Sequence, residues 1–411
     1  PARELPVRAE VDVLVVGAGP AGIMASLRAA EKGHSVLLLE QNDTLGKKMK
    51  ITGKGRCNIT NAGDDIMDNI IRNPEFLYSA LHGFSNYDAI DFFEKIGVPT
   101  KIERGMRVFP QNDSAPSVVT ALMRALKNAG VEARRARVKK ILTENGRVCG
   151  ILEYGGRVRP CDAAVLATGG VSYPQTGSKG DGFKMAEMLG HTVTPLTPSL
   201  VPLCADTKIC RRLMGLSLKN IGFKLCDKDE VLYSDFGEMI FTHFGISGPI
   251  VLSASCHLKN SKNLFAVIDL KPALSEQELD KRLLRDFEEY SRRDYINSLD
   301  RLLPKKLIEP FAELTGVDLR KKCCEITRAE RHNIVLLLKE FKIHVYGARP
   351  IDEAIVTSGG ISTHEINPKT MESKIVKELY FAGEIIDVSA YTGGYNLQIA
   401  YSTGYAAGNS I

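Results

Sequence analysis

Along the chain, apolar and polar positions first settle into a pattern at 11–16, where VDVLVV is a continuous apolar run of buried-strand length. The helical pattern IMASLRAAEKG follows GAGPAG, and a second buried strand, SVLLL, ends on Glu40. Strand, helix, strand predicts a βαβ unit and a parallel sheet, hence the α/β class. Residues 74–96 and 114–129 read as amphipathic helices, and RGMRVFPQNDSA between them as a short strand and a loop. From 131 to 168 the period shortens to two, with Glu-Asn-Gly and Tyr-Gly-Gly turns, which predicts a three-stranded meander. It ends on AAVLATGG, another buried strand. A helix restarts within 177–190, and the proline-punctuated 191–203 marks a domain exit. Residues 204–270 read as mostly β and 275–341 as the most helical part, with IVLLL at 334–338 a buried helix segment. The whole of 193–350 is expected to be an insertion, part β and part helical. After it, LYFAG gives a short strand, followed by an acid, a glycine-rich loop and a small-residue helix.

The first turn carries candidate chemistry. Gly17-Ala18-Gly19-Pro20-Ala21-Gly22 is G-x-G-x-x-G placed where strand becomes helix, with Glu40 eighteen residues beyond Gly22. Gly17 permits the tight turn, Gly19 lets the backbone approach a pyrophosphate, and Gly22 lets helix and strand pack closely. The helix start offers N–H groups and partial positive charge to that pyrophosphate. The Glu40 carboxylate can accept both hydroxyls of an adenosine ribose. An ordinary tight turn would leave Glu40 unexplained. The stretch QNDTLGKKMKITGKGRCNITNAG has little periodicity, and loops of such length inside a domain are usually functional. Gly393-Gly394 ahead of Tyr395, Asn396 and Leu397 offers a second anion-receptive helix start, or simply a tightly packed helix.

Composition narrows the setting. With 411 residues, 44% hydrophobic and 25% charged, the chain is expected to be a globular protein of more than one domain. No apolar run approaches the roughly 18 residues that span a bilayer, and PARELPVRAE is too polar and short for a signal peptide. Nine cysteines without any C-x-x-C indicate neither a disulfide framework nor a zinc site, so no metal is expected and a reducing cytoplasm is the simplest setting. A net charge of +5 permits an anionic partner without demanding one.

Four pieces together resemble one family: G-x-G-x-x-G with Glu40, TGKGRCNITN (52–61), FTHFGISGPIVLS (241–253), and the run from TSGGIS to YSTGYAAG (357–408). They are similar to the FAD flavoproteins known as NAD(P)/FAD-dependent oxidoreductases of the bile-acid-reductase and ribosomal-RNA dihydrouridine-synthase type, other members of which have been called aminoacetone oxidases. The resemblance runs over nearly the whole chain. It implies a glutathione-reductase-like FAD-binding two-dinucleotide-fold domain over 1–192 and 353–411. An inserted β-barrel-like domain would span 193–272 and 340–352, and a small helical domain 273–339. It further implies that Gly17, Gly19, Ala21 and Gly22 hold the FAD pyrophosphate, that Glu40 and Gln41 take the adenosine ribose region, and that Lys48 lies near the phosphates. Val138 would meet adenine, and Thr168 and Gly169 would pass the dinucleotide. Gly383 and Glu384 stand where related flavoproteins have Gly-Asp reaching the ribitol, one methylene longer here. Asn396 and Leu397 would lie at the flavin pyrimidine end, and Gly53, Arg56, Cys57 and Asn58 beside the isoalloxazine.

A flavin mediates hydride transfer while the protein orients and supplies a proton. No second G-x-G-x-x-G lies between two strands, so NAD(P)H is expected as a diffusible reductant that uses the substrate opening, giving ping-pong kinetics. Cys57, between Lys54-Gly55-Arg56 and Asn58, is a candidate proton donor to a conjugated C=C, or a small residue packed beneath the flavin. Tyr173, Tyr391 and Tyr395 are alternative acids. His243 is a candidate base or anion contact, or the organiser of a turn. His344, His364 and Cys323-Cys324 lack metal-ligand spacing. Basic clusters at 134–140, 211–212, 292–293, 304–306 and 320–322 suit either RNA phosphates or a solvated face. The reading reached is an FAD-dependent oxidoreductase that uses NAD(P)H to reduce an activated C=C bond, with a uridine of 23S ribosomal RNA as preferred substrate. Three alternatives stand beside it: reduction of a small enone such as an oxo-steroid, amine oxidation producing peroxide, and a non-catalytic flavin-containing RNA-binding protein. Oligomeric state is left open.

Overall fold

A computed structural model describes residues 9–411, so most of the polar opening segment lies outside the described residues. The chain divides into two compact units, one running to Ser199 and resuming over Ile351–Ile411, the other Leu200–Pro350.

In the first unit, β1 (Val11–Val16), α1 (Pro20–Glu31) and β2 (Val36–Glu40) form the predicted βαβ unit, with β1 and β2 parallel. The parallel sheet continues with Glu132–Arg135 beside β2, Val158–Leu166 beside β1, and Leu379–Phe381 beyond. Strands buried on both faces read as unbroken apolar runs, which is why VDVLVV and VLLLE are so legible. Val158–Leu166 serves two sheets. Its first residues pair antiparallel with Arg147–Glu153, and from Cys161 onward it runs parallel to β1. Val138–Glu144 completes the meander through Asn145-Gly146, both left-handed at φ 51° and 74°, as a two-residue hairpin turn requires. The predicted helical stretch 74–96 breaks in two, Pro74–Gly83 and Asn86–Lys95. Ser85 and Asp88 cap the second helix reciprocally, and the chain leaves the helical conformation at Phe84.

The small residues of the last helix, Tyr395–Ser410, pack against α1. A Cβ at Gly404 would lie 2.3 Å from the Ala21 carbonyl oxygen, and one at Gly408 would lie 2.4 Å from that of Ala25. Only glycine allows the two backbones to approach this closely.

The second unit contains a closed six-stranded barrel in the order Leu203–Ala205, Gly245–Ser247, Glu230–Phe241, Ser217–Asp227, Leu264–Asp269, Phe341–Ala348. Two short helices, Thr207–Leu213 and Pro249–Ser255, interrupt the region expected to be mostly β. Helices Glu276–Glu289, Lys305–Leu314 and Arg328–Lys339 share one apolar core with the barrel, where Leu279, Phe311 and Leu338 join Phe223, Phe241 and Ile268. No helix among the described residues is long and apolar enough to cross a membrane, no His, Cys, Asp and Glu group there is placed to hold a metal, and all nine cysteines are unbridged.

Candidate active site

The turn after β1 is built around glycine. Gly17 has φ +102°, and a Cβ there would stand 2.5 Å from the Ala167 carbonyl oxygen. A Cβ on Gly22 would meet the Gly17 carbonyl oxygen at 1.9 Å, whereas one on Gly19 would have nothing within 4 Å. The close turn therefore leaves open space beside the start of α1, where an anion can reach backbone N–H groups. Ala21 is buried on α1, and a Cβ on Gly383 (φ +78°) would lie 2.8 Å from its methyl carbon.

Glu40 is buried and already engaged. Its Oε2 accepts from the Ala18 N–H at 2.9 Å, and its Oε1 from the Asn42 N–H at 2.9 Å and Nδ2 at 2.8 Å. A carboxylate accepts about four hydrogen bonds, so room remains for about one ribose hydroxyl rather than the two expected. Asn42 also donates to the Thr176 carbonyl at 2.9 Å, and Gln41 Nε2 to that of Gly177 at 2.5 Å. Gln41 is thus spent on holding the turn Pro174–Thr176 over the tip of β2. Val138 is buried at the start of its strand.

Thr168 and Gly169 follow the strand Val158–Leu166, and the buried Thr168 Oγ1 has no hydrogen-bond partner. Lys48 and Glu384, expected at the phosphates and the ribitol, form an ion pair of 2.7 Å. Lys48 Nζ also donates to Ser172 Oγ at 2.7 Å. Glu384 Oε1 accepts from Ser172 Oγ at 3.0 Å and the Thr357 N–H at 2.8 Å. Ser172 and Thr357 carried no sequence signal, because their role depends on a carboxylate distant in the chain.

The last helix starts with its own polar scaffold. The Gln398 N–H makes the first helical bond, to the Gly394 carbonyl, so the N–H groups of Tyr395, Asn396 and Leu397 stand ahead of the ladder. The Asn396 side chain is engaged: Oδ1 accepts from the Ala390 N–H, and Nδ2 donates to the Ala390 and Tyr391 carbonyls. What Asn396 and Leu397 offer a ligand is backbone. Gln398 Oε1 accepts from Thr60 Oγ1 at 2.7 Å, and a Cβ on Gly394 would strike the Thr60 backbone at 2.4 Å. Tyr391 is half-buried just before Gly393, and burial first and Asp65 second push the Tyr395 hydroxyl up.

The loop 52–58 includes left-handed residues at Gly53, Lys54, Gly55 and Cys57. Arg56 is engaged with acids: it pairs with Glu103 and, at 2.7 Å, with Asp113, and its guanidinium lies 4.1 Å over the Phe109 ring. Cys57 is fully buried, and desolvation pushes its thiol up to about 12, against a smaller lowering by Thr52. A thiol so placed packs in the core and is a poor acid near neutrality. The buried Asn58 Oδ1 has no partner. His243 belongs to the second unit, in the turn Thr242–Phe244 between two barrel strands, edge-on to Phe244. Of the other candidate residues, Tyr173 is left-handed ahead of the turn Pro174–Thr176, His344 sits on a barrel strand bonded to the Lys262 carbonyl, and His364 lies in the turn Thr363–Glu365. Cys323 is buried and Cys324 exposed.

Two glycine-lined helix starts, an open approach at Gly19, a buried carboxylate with acceptor capacity and two unpartnered buried oxygens fit an elongated dinucleotide such as FAD. Comparison with known proteins agrees. Residues 11–410 match the family described as HI0933-like protein Rossmann domain. A 3-dehydro-bile acid Δ(4,6)-reductase of Clostridium scindens is 32% identical over 404 residues, covering 96% of this chain and 98% of its own. A ribosomal RNA dihydrouridine synthase of Escherichia coli is 30% identical over 406 residues, covering 97% and 98%. Among solved structures, a 3-ketosteroid-Δ4-(5α)-dehydrogenase from Rhodococcus jostii in complex with 4-androstene-3,17-dione aligns with all of this chain and 98% of that one, at 18% identity and a TM-score of 0.52, a likeness of fold. The chain belongs to the HI0933-like family, FAD-dependent oxidoreductases built on a Rossmann-type domain.

Proposed function

We propose that the protein uses NAD(P)H to reduce a C=C bond conjugated to a carbonyl, and that its substrate is a uridine of 23S ribosomal RNA. The observation that carries this reading is a shared chemistry among full-length relatives. A bile-acid Δ(4,6)-reductase and a dihydrouridine synthase, 32% and 30% identical to this chain, are both named for saturating a ring double bond. FAD, when bound, supplies the hydride transfer. Gly17, Gly19, Ala21 and Gly22 would seat the pyrophosphate at the start of α1, Glu40 would take a ribose hydroxyl, and Val138 would line the adenine. Thr168, Gly169 and Gly383 would flank the chain of the dinucleotide, with the Lys48–Glu384 pair beside it. The N–H groups of Asn396 and Leu397 would face the pyrimidine end, and Gly53 and Asn58 the ring system.

Saturating the alkene needs a hydride at one carbon and a proton at its neighbour. Tyr391 is our choice of proton donor, because it is half-buried beside the last helix start while the Cys57 thiol is enclosed. The test is anaerobic incubation of the yellow protein with NADH or NADPH and 23S rRNA lacking dihydrouridine. Formation of dihydrouridine, lowered on the order of 100-fold by Tyr391→Phe, is the expected result. The equal standing of the bile-acid relative supports a second reading, a small cyclic enone. Reduction of an enone with rRNA left unchanged would replace the RNA substrate, and amine-dependent peroxide formation would overturn reduction altogether.

A further inference from the structure

The loop 47–56 and the hairpin formed by Thr100–Glu103 and Arg107–Pro110 meet at one edge of the first unit. Arg56 joins them through Glu103, and a Cβ on Gly53 would lie 3.1 Å from the Phe109 ring. The two segments carry eight cations: Lys47, Lys48, Lys50, Lys54, Arg56, Lys101, Arg104 and Arg107. Three are neutralised locally, Lys48 by Glu384, Arg56 by Glu103 and Asp113, and Lys101 by Asp113. Among the described residues the other five have no acidic partner within ion-pair distance. Apolar side chains stand exposed among them, Ile51 at 45%, Ile102 at 57% and Met106 at 47%. The edge borders the candidate site: Asn61 Nδ2 donates both to the Gly105 carbonyl of the hairpin turn (3.0 Å) and to the Gly393 carbonyl ahead of the last helix (3.1 Å).

Unpaired cations interleaved with exposed apolar side chains suit a partner with a regular anionic backbone and flat faces. Acids remain close by: Asp64, which accepts from the Tyr87 hydroxyl, and Asp65. They set a limit to the patch without cancelling five cations. A small carboxylated steroid would use one or two such charges, and five spread over two segments exceed its reach. We infer that this edge is the docking surface for a single-stranded segment of RNA, whose phosphates lie on Lys47, Lys50, Lys54, Arg104 and Arg107 while unpaired bases rest on Ile51, Ile102 and Met106. The inference rests on the RNA reading of the substrate and adds how the strand is held at the site.

A second cationic region competes for that role. In the second unit, the bridge Asp294–Lys322 and the bond from the Tyr295 N–H to the Lys321 carbonyl bring together Arg292, Arg293, Lys305 and Lys322 around a cleft of about 780 Å³. Asp294, Asp300 and Glu309 line the same cleft, and Lys322 is paired with Asp294 at 2.7 Å. Its charges largely cancel, which makes it the right control.

The experiment compares wild type, Lys50→Glu/Lys54→Glu/Arg104→Glu and Arg292→Glu/Arg293→Glu/Lys305→Glu, each as FAD-loaded full chain. Binding to a labelled single-stranded RNA and to transcribed 23S rRNA is followed over a salt series. Bound flavin and nicotinamide-driven reduction of ferricyanide report the site itself. The first triple variant is expected to bind RNA at least about tenfold more weakly and to lose about 2 from the slope of log K against log salt, at roughly 0.7 per phosphate contact. Its flavin content and ferricyanide rate stay at wild-type values. Unchanged RNA binding in that variant, or loss only in the Arg292 variant, overturns the docking surface and leaves the RNA reading standing. A wild-type protein that reduces ferricyanide and ignores RNA overturns both.

Discussion

At the scale of single residues, burial decides which thiols can react. Cys57, Cys161 and Cys210 are enclosed, and burial is the largest influence pushing each thiol up to about 12 from an ordinary value of 9.0. The folded state therefore keeps three protons that the unfolded chain begins to release near pH 9. Stability must fall as pH rises from about 9 toward 12, by up to about 1.4 kcal/mol per pH unit for each thiol. Urea unfolding under reducing conditions is expected to show this decline, and Cys57→Ala to make it shallower by one thiol's share. In native protein, iodoacetamide should modify the exposed Cys324 and spare Cys57. Labelling of Cys57 at the rate of Cys324 would show that the loop 52–58 opens. Residue chemistry was legible in the sequence wherever the constraint is local. Gly17 and Gly22 announce themselves because one turn imposes both, and Gly19 stands between them in the same motif, with open space beside it. Asn42, Ser172 and Thr357 do not, since each acquires its role from a carbonyl or carboxylate brought up by a distant segment.

Between elements, the decisive contact is the crossing of α1 and the last helix. The sequence shows a helix rich in small residues, which signals tight packing but not against what; the partner lies some 380 residues earlier. Gly404 and Gly408 answer that question, four residues apart and facing Ala21 and Ala25, again four apart. The crossing fixes α1, whose start carries the glycine turn, against the helix that Gly393-Gly394 introduces, so the same glycines that stabilise the fold set the spacing of the site. A methyl at Gly404 must displace the α1 backbone rather than a flexible side chain. Gly404→Ala is expected to cost on the order of 1–3 kcal/mol and to lower the FAD retained through purification. Gly83→Ala, where a Cβ meets nothing within 4 Å, should change stability by less than about 1 kcal/mol and leave flavin content intact. Equal flavin content and stability in the two variants would contradict this account. The short helices within 204–270 escaped the sequence reading for a related reason. Seven residues carry too little periodicity to separate Thr207–Leu213 or Pro249–Ser255 from the strands around them.

For the whole molecule, what the chain contains only once has a kinetic consequence. The parallel sheet at β1 carries one G-x-G-x-x-G, and in the described second unit the strands close into an antiparallel barrel that shares its core with helices. A doubly wound sheet with a second glycine-rich turn, the usual seat for a nicotinamide dinucleotide, is not found among the described residues. Under the function proposed above, NAD(P)H would then reach the reacting centre by the opening that later admits the substrate, and leave before the substrate enters. Initial rates measured at several fixed acceptor concentrations should give parallel double-reciprocal lines against NAD(P)H. High acceptor should inhibit competitively with NAD(P)H, because the two contend for one space. In single-turnover work, anaerobic NAD(P)H alone should bleach the yellow absorbance completely, and added acceptor should restore it after the oxidised nicotinamide has been removed by gel filtration. Intersecting lines, or bleaching that requires the acceptor to be present, would mean that both ligands are held at once. A nicotinamide seat would then exist that neither the glycine pattern nor the sheet topology reveals.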